Sequence, residues 1–144
     1  MSDSNYKTDF YAWANEQAAL LRAGHLANAD IENIAEEIES MGKRERQELV
    51  SRLSVLLMHL LKWQYQPGYR GRSWQLSIEE QRFKVIDHMD DNPSLKSQVL
   101  DAIMKAYRYA RIDAARETGL DLERFPPACP WKYQKMMDGA FWPD

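Results

Sequence analysis

The segment from Leu49 to Leu61 constrains the fold most, because apolar residues recur there at the spacing of a helix. Successive helical residues turn by about 100°, so one face collects six leucines: Leu49, Leu53, Leu56, Leu57, Leu60 and Leu61. From Leu53 onward the segment is apolar on nearly every side, which is typical of a helix surrounded by other elements. We therefore expect this helix to be the centre of the fold.

The other periodic segments also predict helices, and none shows the sustained alternation of a strand. The predicted helices span residues 9–23, 30–41, 43–66, 77–91 and 94–118. Thr8 or Asp9 is expected to cap the first, and Ser77 with Glu80 forms a capping box for the fourth. The fold class predicted is an all-α, up-and-down bundle of about five main helices.

Gly42 is expected to break or kink the chain between the second and third predicted helices. The apolar period runs through this residue, and one helix from Ile31 to Gln66 would be about 54 Å long. A globule of this chain length has a diameter of roughly 35–40 Å. An unbroken rod would protrude from it, so we expect two helices.

The chain of 144 residues is predicted to form a single domain. In this prediction residues 7–119 form the bundle, and residues 120–144 pack across it as a cover that is rich in proline and aromatic rings. A short helix is expected in the cover between Pro130 and Gly139.

Composition narrows the functional classes. Nineteen basic and twenty-two acidic side chains give a net charge of −3, which argues against a general nucleic-acid binder. Cys129 is the single cysteine, which suits a reducing compartment. The first ten residues lack the apolar region of a signal peptide, and no apolar run reaches the ~20 residues that span a bilayer. These features predict a cytoplasmic protein.

Charge is unevenly distributed along the chain. Residues 30–41 carry five acids and no base, whereas residues 59–84 carry five bases and two acids. One interpretation is that these segments face each other in the fold or in a dimer. The other is that the basic segment meets an external anion.

The predicted ligand-binding surface lies after the leucine-rich helix. Its members are cations and rings, namely Lys62, Arg70, Arg72, Trp74 and Arg82. Arginine forms forked hydrogen bonds to carboxylate or phosphate, and an indole ring can stack on a flat ligand. The alternative is structural, with the tryptophans as core residues and the arginines in internal ion pairs.

His59 is the candidate for acid–base chemistry, because an imidazole titrates near neutral pH. An enzyme would need a carboxylate to orient the ring, and Glu37 and Asp9 are the candidates. The structural alternative is a satisfied polar side chain beside the core. The three histidines lack the spacing of a metal site, so we expect no metal and no cofactor.

These observations favour a non-enzymatic module that binds a protein partner or a small anionic ligand. An enzyme using His59 is the alternative, and a binder of single-stranded nucleic acid through Arg70, Arg72 and Trp74 is a weaker one. We expect no membrane partner, and a homo-oligomer stays open.

Eight segments together resemble a known family. They are Tyr6–Trp13, Leu20–Gly24, Glu36–Gly42, His59–Gln64, Arg72–Trp74, Gln81–Arg82, Ala115–Leu120 and Phe125–Trp131. In these the chain resembles the domain-of-unknown-function 29 family of bacterial and cyanobacterial proteins over nearly its whole length. The resemblance implies an all-helical bundle and a bacterial source. It implies no activity, because the family supplies no catalytic residues.

Overall fold

The computed structural model describes residues 2–144, and every regular element in them is helical. The α-helices are α1 Ser2–Thr8, α2 Phe10–Arg22, α3 Ile31–Tyr65, α4 Arg72–Asp91, α5 Val99–Thr118 and α6 Tyr133–Met136. Short 3-10 turns occupy Leu26–Asn28, Pro67–Tyr69, Pro93–Gln98 and Leu122–Arg124. The predicted all-α helical bundle is confirmed. No helix in this part of the chain is both long and apolar enough to cross a membrane.

The chain divides into two compact units, Met1–Arg44 and Glu45–Asp144. The prediction of one domain over residues 1–144 stays a prediction. In the N-terminal unit the Asp9 side chain caps α2 by accepting the amide of Ala12 at 3.1 Å, as expected. Trp13 and Gln17 are buried, and both hydrogen-bond to Asp30, the indole to its carboxylate and the amide oxygen to its backbone N–H.

Several apolar residues that helical spacing aligns in this unit are exposed. They are Phe10, Leu21, Ile31, Ile38 and Met41. A short unit has too little interior to bury every apolar residue that helical spacing aligns. In this unit helical spacing therefore indicates helix formation but not which residues are buried.

The core of the C-terminal unit surrounds the second half of α3. All six leucines of the predicted face are fully buried, which confirms this helix as the centre of the unit. Helix α4 contributes Ile78, Val85 and Met89, and α5 contributes a stripe that includes Ile103 and Tyr107. Gly119 ends α5 in the left-handed conformation, with φ 76°.

The C-terminal segment covers this core, as predicted. Phe125, Trp131 and Met136 are buried in it. The ring of Phe125 meets Tyr65 edge-on at 5.1 Å, and Trp142 lies 4.7 Å from Trp63. The short helix expected between Pro130 and Gly139 is α6, which is confined to four residues.

The expected break at Gly42 is wrong, since α3 runs without interruption from Ile31 to Tyr65. A glycine inside a helix costs only about 1 kcal/mol relative to alanine, and no proline or capping residue stands beside it to end the helix. The diameter expected from the chain length therefore did not limit the length of this helix. The start predicted for the fourth helix is also wrong, because α4 begins at Arg72 and contains Ser77.

Candidate binding site

Lys62, the first member of the predicted ligand-binding surface, is used internally. Its ammonium group lies 2.7 Å from the Glu117 carboxylate and 4.8 Å from the centre of the Trp74 ring. The side chain is almost fully buried beside the leucine face. The carboxylate pairs with this cation and the ring face stabilises it further, so the ammonium group is not available to a ligand.

Arg70 and Arg82 hold the C-terminal segment through its backbone. Arg70 donates from Nε to the carbonyl of Trp63 at 2.6 Å and from Nη2 to that of Asp144 at 2.9 Å. Arg82, only 4% exposed, donates from Nε to the carbonyl of Met136 at 2.8 Å and from Nη2 to that of Phe141 at 2.7 Å. Burial lowers the pKa of Arg82, and nearby carboxylates oppose that shift. Both guanidinium groups therefore hold the C-terminal segment in place by hydrogen bonds to its backbone.

Arg72 is the exception in this group. It is exposed at the first position of α4, and within residues 2–144 no ion pair or hydrogen bond holds its guanidinium. Trp74 is half-buried beneath Lys62. The structure therefore gathers four of the five predicted residues into internal contacts and leaves one free cation. Their role in ligand binding stays a prediction.

His59 is held by the backbone of its own helix. Its Nδ1 lies 2.9 Å from the carbonyl oxygen of Val55, and since a carbonyl only accepts, Nδ1 carries the hydrogen. Burial lowers the pKa of His59, which favours the neutral ring. The two candidate carboxylates have partners within the N-terminal unit. Glu37 accepts a hydrogen bond from the hydroxyl of Tyr6, and Asp9 caps α2. A pairing of His59 with either one stays a prediction.

The described residues contain no group of three or more His, Cys, Asp or Glu side chains that could hold a metal ion. His88, at the end of α4, instead faces Glu45, with Nε2 2.7 Å from its carbonyl oxygen and 3.6 Å from its carboxylate.

A large groove lies in the C-terminal unit, at a place that sequence reasoning missed. It has a volume of about 1290 Å³ and runs between α4, α5 and the C-terminal segment. Its apolar lining includes Ile86, Met89, Leu100, Met104 and Trp131. Leu100 and Met104 are 76% and 68% exposed, which is unusual for side chains of this size that sit side by side on one helix.

Four cationic side chains line the same groove: Lys96, Lys105, Arg108 and Lys132. None of them forms an ion pair, hydrogen bond or ring contact with another described residue. Asp90 and Asp101 are the acids in the lining. The groove is therefore net positive, although the whole chain carries −3.

The remaining titratable groups of the groove are held neutral. Burial raises the pKa of Cys129, whose thiol contacts the carbonyl of Trp131 at 3.3 Å. Burial also raises the pKa of Tyr107 and of Tyr133, and the Tyr107 hydroxyl donates to the carbonyl of Pro126 at 2.7 Å. These three side chains are therefore uncharged, and the charge of the groove lies with its four cations and two aspartates.

The sequence contains a signal for this groove in α5. Leu100, Met104 and Arg108 follow at steps of four, beside the stripe that faces the core. Two exposed apolar residues followed by an arginine, in a row next to the buried stripe, indicate an additional contact surface. What the sequence does not show is which elements form the opposite wall.

The fold and the groove define an all-α helical protein with an open apolar cleft bordered by cations. The family described as Domain of unknown function DUF29 matches residues 5–142. The match covers nearly the whole chain, so the protein belongs to this family. No curated protein and no solved structure matches the chain.

Proposed function

We propose that this protein is a cytoplasmic, non-enzymatic binding module whose groove between α4, α5 and the C-terminal segment takes an acidic amphipathic helix of a protein partner. One observation carries the proposal. The cations of the predicted surface after α3 are mostly used internally, whereas the four cations that line an exposed apolar groove have no partner among the described residues.

The size of the groove favours a peptide segment over a small molecule. Pockets for small ligands have volumes of about 300–1,000 Å³, and this groove, at about 1290 Å³, exceeds that range while remaining open to solvent. An open groove with an apolar lining suits a helix that lays its apolar face into it. Met89 and Met104 adapt their shape easily, as methionines do in grooves for helical partners.

Charge selects among possible helices. Unpaired lysines at the edge of an apolar surface attract carboxylates on the polar face of an approaching helix and repel a basic one. The proposed partner segment therefore carries leucine or methionine at helical spacing, with Glu or Asp on its other faces.

The test uses a fluorescent designed helix of about 18 residues with this pattern. Its two controls are a twin with Lys in place of Glu and a scrambled peptide of the same composition. Fluorescence anisotropy should show saturable binding of the acidic helix alone. Binding to anionic vesicles tests a lipid surface as the occupant. Analytical ultracentrifugation tests a second copy of the chain.

Variants locate the binding. Met104→Ser removes an apolar contact worth about 1–3 kcal/mol and should weaken binding about 5–150-fold. Phe83→Ser, at an equally exposed apolar residue outside the groove, should leave it unchanged. Lys132→Glu should weaken binding and Arg124→Glu should not. Equal binding of the three peptides, no saturable binding, or preferential binding of vesicles or of a second copy would contradict the proposal.

A further inference from the structure

A second, polar cleft lies beside α5 in the C-terminal unit and shares Asp101 and Lys105 with the groove. It has a volume of about 420 Å³. Helix α3 supplies Arg46, Gln47, Val50 and Ser51, and α5 with the turn before it supplies Gln98, Asp101, Ala102, Lys105 and Tyr109. Both sets recur at helical spacing, so two helix faces form the walls. The other lining residues belong to the cleft alone, so the site does not rest on the function proposed for the groove.

The chemistry of the cleft is opposite to that of the groove. Val50 and Ala102 form an apolar floor, and every other lining side chain is polar. Seven polar side chains converge here, namely Arg46, Gln47, Ser51, Gln98, Asp101, Lys105 and Tyr109. Across residues 2–144 no ion pair or hydrogen bond engages the side-chain polar atoms of any of the seven.

Most of these side chains are exposed to water, and Gln98 is half-buried. Their polar atoms are therefore available to a ligand, whereas those of Arg52 and Glu48, elsewhere on α3, pair with each other at 2.6 Å. In the cleft two cations face a single carboxylate, so the site carries net positive charge.

The geometry points to a binding site for a small hydroxylated anion, a compound that bears one phosphate or carboxylate group and several hydroxyls. Arg46 and Lys105 bind the anionic group, since a guanidinium fork and an ammonium group are the side chains that bind phosphate and carboxylate best. Asp101 accepts hydrogen bonds from the hydroxyls. The amides of Gln47 and Gln98 and the hydroxyls of Ser51 and Tyr109 both donate and accept.

Size agrees with this class of ligand. A volume of about 420 Å³ falls inside the range of about 300–1,000 Å³ that is typical of small-molecule sites. Val50 and Ala102 give the carbon skeleton of a sugar or hydroxy acid a surface to lie on.

The experiment is titration calorimetry on the full chain, with resonance mapping by NMR. The probes are glucose 6-phosphate, ribose 5-phosphate and glycerol 3-phosphate as hydroxylated phosphates, and gluconate as a hydroxylated carboxylate. Glucose without the phosphate and inorganic phosphate without the hydroxyls are the controls. We expect saturable binding of at least one hydroxylated anion, with shifted resonances at the lining residues. Binding of gluconate alone identifies the anionic group as a carboxylate.

Arg46→Gln should weaken that binding about tenfold or more, because it removes a charge-assisted hydrogen bond. Arg44→Gln is the matched control, since Arg44 lies on the same helix about 200° away and does not line the cleft; it should bind as the native chain does. Tyr109→Phe should weaken the hydroxylated probes and not inorganic phosphate. The inference is overturned if no hydroxylated anion binds below about 10 mM, if inorganic phosphate binds equally well, or if Arg46→Gln has no effect.

Discussion

Replacing Arg82 by Met tests whether the arginines fasten the C-terminal cover. Methionine keeps an unbranched side chain of similar reach and removes the guanidinium. Two hydrogen bonds are lost, from Nε to the Met136 carbonyl at 2.8 Å and from Nη2 to the Phe141 carbonyl at 2.7 Å. The stack on the Trp142 ring, at 5.4 Å, is lost as well.

The magnitude follows from the carbonyls left behind. A buried carbonyl without its donor costs about 1–3 kcal/mol. Met136 is fully buried and Phe141 partly so, which places the sum at about 3–4 kcal/mol. Removing a buried cation whose Nη1 has no partner within residues 2–144 returns about 1 kcal/mol. The free energy of unfolding should therefore fall by about 2–3 kcal/mol, and Tm by about 10 °C.

Urea unfolding followed by circular dichroism measures this loss, with the slope m unchanged. Tryptophan emission should also shift to the red in native buffer if Trp142 becomes exposed. Arg82→Lys should lose nearly as much, because one ammonium group cannot serve both carbonyls at these positions. Lys84→Met is the control, since its exposed i,i+4 pair with Glu80 contributes less than about 0.5 kcal/mol. An Arg82→Met protein within about 0.5 kcal/mol of the native chain would refute the reasoning.

Two further predictions concern α3 and α5. An added Cβ at Gly42 meets no atom within 4 Å, so Gly42→Ala should raise the free energy of unfolding by about 0.5–1 kcal/mol. Gly119 has φ +76°, so Gly119→Ala should lower the free energy of unfolding by about 1 kcal/mol. Chemical denaturation measures both changes, and a loss of stability in Gly42→Ala would contradict the continuous helix. Burial lowers the pKa of His59 in the folded protein, so on acidification the unfolded chain takes up the proton at a higher pH than the folded protein does. The free energy of unfolding should therefore be highest above about pH 6.5 and decline as the pH falls below that value. His59→Gln should flatten that part of the stability profile while His25→Gln does not, and identical profiles would show that His59 stays as ionisable as in the unfolded chain.

The helices of the C-terminal unit follow from the sequence because local spacing and core burial agree there. The leucines from Leu49 to Leu61 are buried as their period requires, and Gly119 ends α5 where its freedom at positive φ is needed. At Gly42 the local sequence pattern and the expected size of the protein disagree. The local pattern favours one helix, and only an argument from overall size opposed it. The local term prevails, because a single glycine is a small cost in a long helix.

The candidate sites were harder to predict, because a side chain's type does not reveal its partners. Arg70 and Arg82 have the residue type expected of an anion site, yet all but one of their acceptors are carbonyls 54 to 74 positions further along the chain, in the C-terminal segment. The polar cleft depends on a meeting of α3 and α5 that no local pattern encodes. Long-range pairing of this kind is invisible to helical spacing, which reports only which residues share a face.

The fastening of the cover to main-chain oxygens has a consequence for variation within the family. Every amino acid supplies a carbonyl, so exchanges of the residue at position 141 keep the acceptor for Arg82. The donors have less freedom, because the rigid guanidinium fork is what presents two N–H groups at the positions of these carbonyl oxygens. Substitutions in the C-terminal segment should therefore be tolerated at the positions that supply the carbonyl acceptors, whereas Arg70 and Arg82 should be invariant.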